Sequence, residues 1–169
     1  MQAGSIVVLA VIMGLMLAFD MGGPVNKVAY AFMLICVAQG VYTVVAIAAV
    51  GICVPPLGMG LATLIGRKNF SSEEREAGKA ALVMGCVGVT EGAIPFAAAD
   101  PLRVIPSCIV GSATAGALSM AFGCTLRAPH GGIFVVPTIG NPMMYLVAIL
   151  IGAAVGMILL ALLKKPVTK

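Results

Sequence analysis

Residues 90 to 103 read TEGAIPFAAADPLR and carry Glu91, Asp100 and Arg103 in a chain of which only 9% is charged. Glu91 stands between Thr90 and Gly92, with no basic residue near it in sequence. A carboxylate accepts two or more hydrogen bonds, which suits a ligand rich in hydroxyl groups. Asp100 and Arg103 are three residues apart and either pair locally to hold a turn or join a polar site. Asp20, Lys27 and Arg127 are the remaining charges outside the polar segment 67–79 and the last residues. A charge at mid-bilayer costs at least about 2.5 kcal/mol. Each of these three is therefore an interfacial residue at a helix end or part of a buried polar site. His130, the single histidine, lies in APHGG and reads as a ligand contact or as an interfacial residue.

Other chemistries are not supported. One histidine without a cysteine or acid at ligand spacing makes no metal site. No phosphate-binding GxxxxGK[ST] and no dinucleotide fingerprint occurs, so no cofactor is expected. The five cysteines, Cys36, Cys53, Cys86, Cys108 and Cys124, form no CxxC pair and are odd in number. They read as small buried apolar residues. The net charge of +4 comes from scattered basic residues without a basic stripe, so nucleic acid is not an expected partner.

The elements that hold these residues are set by composition. Hydrophobic residues make up 61% of the 169, and the mean hydropathy is +1.13. A soluble domain is about 45–50% apolar. The chain reads as an all-α integral membrane protein, one membrane domain over 1–169. At about 20 residues per crossing it has room for four to six membrane elements, including broken or re-entrant segments. No basic n-region precedes the first apolar run, so no cleavable signal is expected.

Residues 3–19 just suffice for a span, and 20–27 form a Gly/Pro break with a charge at each end. Residues 28–66 are uncharged and are divided at Pro55-Pro56, leaving 57–66 too short to cross alone. Segment 67–79 reads as an aqueous loop, with Ser72 and Glu76 as helix-capping candidates. It holds four of the ten basic residues and so belongs in the cytoplasm, as does the KKPVTK tail. Residues 104–126 and 143–163 are further spans. Ser112 with Gly116, and Gly152 with Gly156, are spaced for close helix packing. The 21 glycines and 10 prolines concentrate at 22–24, 88–106 and 129–142. Irregular backbone at membrane depth persists only inside protein or beside a wet cavity, and transporters build substrate sites from it. Polar groups gather where the helices break.

Two stretches carry a resemblance. FDMGGPVNKVAYAF, 19–32, and GVTEGAIPFAAADPLRVIPS, 88–107, resemble the signatures of the fructose-type membrane component, enzyme IIC, of the bacterial phosphoenolpyruvate-dependent sugar phosphotransferase system. The resemblance covers the chain but only the C-terminal half of such a protein, because helices that precede the first signature are missing. It implies a bacterial inner-membrane, multi-pass permease that binds fructose or a related hexose. Phosphorylated enzyme IIB then passes a phosphoryl group from its cysteine to the sugar. Membrane lipid, a separately encoded N-terminal half and a second copy in a homodimer are the other implied partners. None of the five cysteines is the phosphorylated one. By the same resemblance Glu91 is the catalytic, sugar-holding carboxylate, and Thr90, Gly92, Ala93 and Ile94 shape its surroundings. Asp20, Asn26, Lys27, Asp100 and Arg103 line the site or fix its loops, and His130 joins the binding residues. Arg103 is, by its charge, a contact for the incoming phosphoryl group. A non-phosphorylating secondary transporter and an inactive truncated remnant are the alternatives.

Overall fold

A computed structural model of the chain describes residues 3–164; the tail beyond Lys164, expected in the cytoplasm, lies outside them. The described residues form helices α1 (Ala3–Phe19), α2 (Pro24–Ala38), α3 (Tyr42–Ile65), α4 (Ser72–Val87), α5 (Ile94–Ala99), α6 (Pro101–Ala121) and α7 (Pro142–Leu163). Short 3-10 turns occupy Arg67–Asn69, Thr90–Ala93 and Ile133–Thr138, and no strand occurs among these residues. Helices α3, α6 and α7 are long and apolar enough to cross a membrane, while α1 and α2 are apolar but shorter. This is an all-α membrane protein, as composition predicts.

Helix α3 is the centre. It is apolar on every side and packs against α1, α2, α4, α6 and α7, as expected of a helix buried all round. Two expectations for 28–66 fail here. The break falls at Gln39-Gly40, not at the prolines. Gly40 has φ +73, and the Val41 N–H turns back to the Cys36 carbonyl at 2.8 Å, closing α2. No charge marks that turn, so hydropathy does not see it. Helix α3 then runs unbroken through Pro55 and Pro56 to Ile65. A proline inside a helix leaves the carbonyl four residues earlier without its donor. For Pro55 that carbonyl is Gly51, and Ser112 of α6 donates its hydroxyl to it at 3.1 Å. A neighbouring helix thus repairs the fault, which hydrocarbon could not do.

The segment 67–79 is not a loop. After a single 3-10 turn it becomes the polar first half of α4, and the apolar residues 80–87 complete the same helix. The cap is Ser71, one residue before the expected Ser72. Its hydroxyl accepts from the Glu74 N–H at 3.1 Å, and its own N–H donates to the Glu74 carboxylate at 2.8 Å. This reciprocal pair satisfies two otherwise orphaned donors. Lys164 at the end of α7 pairs with Glu74 and lies over the Phe70 ring, tying the last span to the start of α4.

Helix α6 begins at Pro101, not at residue 104, and ends at Ala121. The chain then turns back, held by the Leu126 N–H on the Tyr42 carbonyl at 3.0 Å and a bridge from Leu126 to Ile139. Helices α6 and α7 approach closely through glycine. A Cβ on Gly111 would lie 2.7 Å from the Gly152 carbonyl oxygen and 3.3 Å from the Gly156 Cα. The substitution Gly111→Ala is accordingly expected to cost about 1–3 kcal/mol by overpacking. Thermal unfolding in detergent reads this as a lowered melting temperature; an unchanged value contradicts the packing. Four cysteines are buried as expected, but Cys86 of α4 is exposed.

Candidate functional site

The helical path fails twice near one point, and the two failures meet. At the first, Asp20 ends α1. Its two carboxylate oxygens accept the N–H groups of Val25 at 2.7 Å and Asn26 at 2.9 Å, which caps α2 at its positive end. Asn26 donates its side-chain amide to the Leu17 carbonyl at 2.6 Å, fixing α2 to the end of α1. At the second, Gly88 ends α4 with φ +84, its N–H turned back to Gly85 and that of Val89 to Met84. The chain enters the 3-10 turn Thr90–Ala93, which carries Glu91, and resumes as α5 and α6.

These breaks enclose a cleft of about 320 Å³. Gly22, Asn26, Lys27 and Tyr30 come from the first break and α2, and Gly88, Val89, Thr90 and Glu91 from the second. Ile52 of α3 and His130 complete the lining. Glu91 lies directly against the backbone of Gly22. A Cβ at Gly22, where φ is +111, would stand 2.8 Å from the Glu91 Oε1. Glycine is required there twice, for the left-handed backbone and for the room. Among the described residues neither the Glu91 carboxylate nor the Lys27 ammonium has an ion-pair or side-chain hydrogen-bond partner.

His130 is placed by its neighbours rather than by a helix. Its Nε2–H donates to the Val87 carbonyl at 2.9 Å. A carbonyl only accepts, so in the neutral ring Nδ1 is left as an acceptor. Tyr30 donates its hydroxyl to the Pro129 carbonyl at 2.8 Å. Backbone meets backbone behind the histidine. A Cβ on Gly132, at φ +94, would stand 2.5 Å from the Val87 carbonyl, and one on Gly88 would stand 2.6 Å from that of Gly131.

The structure thus brings Asn26, Lys27, Thr90, Glu91 and His130 into one cleft. Gly92 and Ala93 are buried behind it, Gly92 against Pro56 and Met84. Ile94 points outward and is 45% exposed. Asp20 stands apart, with both oxygens occupied by α2. Asp100 and Arg103 also stand apart, paired with each other at 2.9 Å. Sequence reasoning missed Gly22, Tyr30, Ile52, Gly88 and Val89. The glycines had a signal, since each sits beside a helix end. Tyr30 and Ile52 had none, lying within uniformly apolar runs.

Two larger depressions, of about 390 and 560 Å³, lie beside the polar half of α4. Most of their charged groups are occupied in pairs: Glu76 with Lys79, Glu74 with Lys164 and Asp100 with Arg103. The smaller cleft is the better candidate because its carboxylate and ammonium are both unpaired among the described residues. Such a cleft can hold a small polyhydroxylated molecule, accept hydrogen bonds at Glu91, take a proton there and neutralise added negative charge.

Known proteins resemble the chain closely. It is 72% identical over 164 residues to the fructose-like permease IIC component 2 of Escherichia coli, covering 97% of this chain and 46% of that protein. It is 50% identical to the fructose permease IIC component of Bacillus amyloliquefaciens, covering 97% of this chain and 54% of that one. To the PTS system fructose-specific EIIABC component of Bacillus subtilis it is 52% identical over 98% of this chain and 26% of that protein. The chain therefore spans about half the length of the permease IIC relatives. No family model matches the chain, and no solved structure does.

Proposed function

The chain belongs, as a part, to the fructose-type enzyme IIC family of the sugar phosphotransferase system, and from that premise we propose that its cleft binds a fructose-like sugar for phosphorylation during uptake. One observation carries the reading. The stretches 19–32 and 88–107 lie about 70 residues apart in sequence, yet Gly22 of one touches Glu91 of the other, and both line one cleft whose Glu91 and Lys27 are unpaired among the described residues.

Glu91 holds sugar hydroxyls and takes the proton of the one that attacks. Asn26, Thr90 and His130 supply further polar contacts, and Ile52 and Tyr30 give the apolar wall. The phosphoryl donor is the phosphocysteine of an enzyme IIB, so the chain contributes positioning and charge rather than a covalent intermediate. The chain acts as the C-terminal half of a permease in the bacterial inner membrane. The remaining half, surrounding lipid and a second copy complete the assembly. The basic residues of 67–79 support a cytoplasmic side for the start of α4 and for Lys164, which pairs with Glu74 there, and that side is the one an enzyme IIB would approach.

Membranes carrying this chain and the remainder of a fructose-type enzyme IIC are supplied with phosphoenolpyruvate, the general phosphotransfer proteins and enzyme IIB. Labelled fructose is expected to become phosphorylated when both parts are present. Fructose that enters but stays unphosphorylated, or that never enters, overturns the reading.

A further inference from the structure

Among the described side chains, most cations outside the polar end of α4 are accounted for. Arg103 is held by Asp100 at 2.9 Å, Lys164 by Glu74, and Arg127 lies 5.6 Å from the centre of the Tyr42 ring. Lys27 is different. It is the fourth residue of α2, near the positive end of that helix, where a cation is disfavoured. Asp20, the nearest acid in sequence, gives both its oxygens to the Val25 and Asn26 backbone. Glu91 shares the cleft with Lys27 but does not pair with it. A lysine with no partner among the described residues, at an unfavourable helix end, gives the fold no evident electrostatic return. It does leave an ammonium, unpaired among the described residues, in the lining of the same cleft as the Glu91 carboxylate.

We propose that Lys27 is the catalytic residue that receives the charge of the transferring phosphoryl group, a role that rests on the sugar-phosphorylating reading of the same cleft. In the step, the sugar hydroxyl oxygen bonds to phosphorus and its proton passes to Glu91. The P–S bond of the donor phosphocysteine breaks, and its electron pair leaves on sulfur as thiolate. A phosphoryl dianion arriving beside the Glu91 carboxylate meets like charge. Lys27 is the cation in the cleft that offsets it, and such stabilisation counts most where charge develops in the transition state. Arg103, expected at this task from its charge, is outside the cleft and already neutralised.

The test compares the unsubstituted chain, Lys27→Met and Lys27→Arg in the two-part assembly described above, each normalised to the amount of chain in the membrane. Three quantities are read: equilibrium binding of labelled fructose without donor, its displacement by fructose 1-phosphate or fructose 6-phosphate, and the rate of phosphorylation. Lys27→Met is expected to leave fructose binding within about 3-fold and to slow phosphorylation about 100-fold, the scale of one lost charge-stabilising donor. It should also weaken the sugar phosphates about 10-fold relative to fructose, and Lys27→Arg should recover most of both losses. Two results overturn the proposal: a loss of fructose binding in proportion to rate, which makes Lys27 a sugar contact, or an unchanged rate per molecule, which makes it an interfacial anchor. If the unsubstituted assembly binds fructose but makes no phosphorylated product, the reading of the cleft falls, and this role with it.

Discussion

Glu91→Gln is expected to reduce fructose phosphorylation about 1,000-fold in the two-part assembly, within the range of about 10²–10⁴ for a lost general base. The amide has the size and shape of the carboxylate, so the contact with Gly22 survives and the fold should be unaffected. Two properties are lost. The amide cannot take a proton from the attacking hydroxyl, and its nitrogen presents donors where the sugar also donates. Binding should therefore weaken as well, by the worth of one or two charge-assisted hydrogen bonds, about 10-fold or more. Among the described residues Glu91 has no side-chain partner that holds its proton in reserve. Phosphorylation by Glu91→Gln within 3-fold of the unsubstituted rate would remove Glu91 from the chemistry.

The second large effect is structural. Gly132→Val should detach the loop that carries His130. At φ +94 any side chain costs about 1–3 kcal/mol. The new Cβ would also stand 2.5 Å from the Val87 carbonyl, and the atom in the way is backbone, so no rotamer change relieves it. The loop must move away from α4, breaking the His130–Val87 hydrogen bond and opening one side of the cleft. The expected loss is about 3 kcal/mol or more. Gly123→Ala serves as the control. It has φ +62 but open space around a built Cβ, so it should pay only the backbone strain. Thermal unfolding in detergent and fructose binding separate the two, with Gly132→Val the worse in both. Equal behaviour would mean that the packing of 131–132 on 87–88 does not hold the site.

How far the sequence reaches differs between fold and site. Its apolar runs mark the membrane class and the approximate positions of α1, α6 and α7, because burial in lipid is a property each segment has by itself. The runs fail where a neighbour decides. Pro55-Pro56 looks like a break, since the sequence cannot show that Ser112, in another helix and 61 residues from the Gly51 carbonyl, supplies the lost donor. Gly40 looks like any glycine in an apolar run, yet it ends α2. The polar 67–79 segment looks like a loop because its charges hide a capping box one residue from the expected cap.

The site shows the same division. Glu91 was legible because an isolated carboxylate in an apolar chain is costly, and its cost marks it whatever the fold. Asp100 and Arg103 were legible as a pair at turn spacing, and pair they do. Asp20 and Lys27 looked alike in sequence, two charges flanking one break. Only the tertiary structure separates them, because hydrogen-bond capacity is spent on whatever lies within about 3 Å. Asp20 spends both oxygens on the start of α2, while Lys27 finds no partner among the described residues. What the sequence determined by itself is that the chain lives in a membrane and carries charge where its helices break. Which of those charges line one cleft was decided by the packing of the helices, which brings Gly22, Glu91 and His130 together from three distant segments.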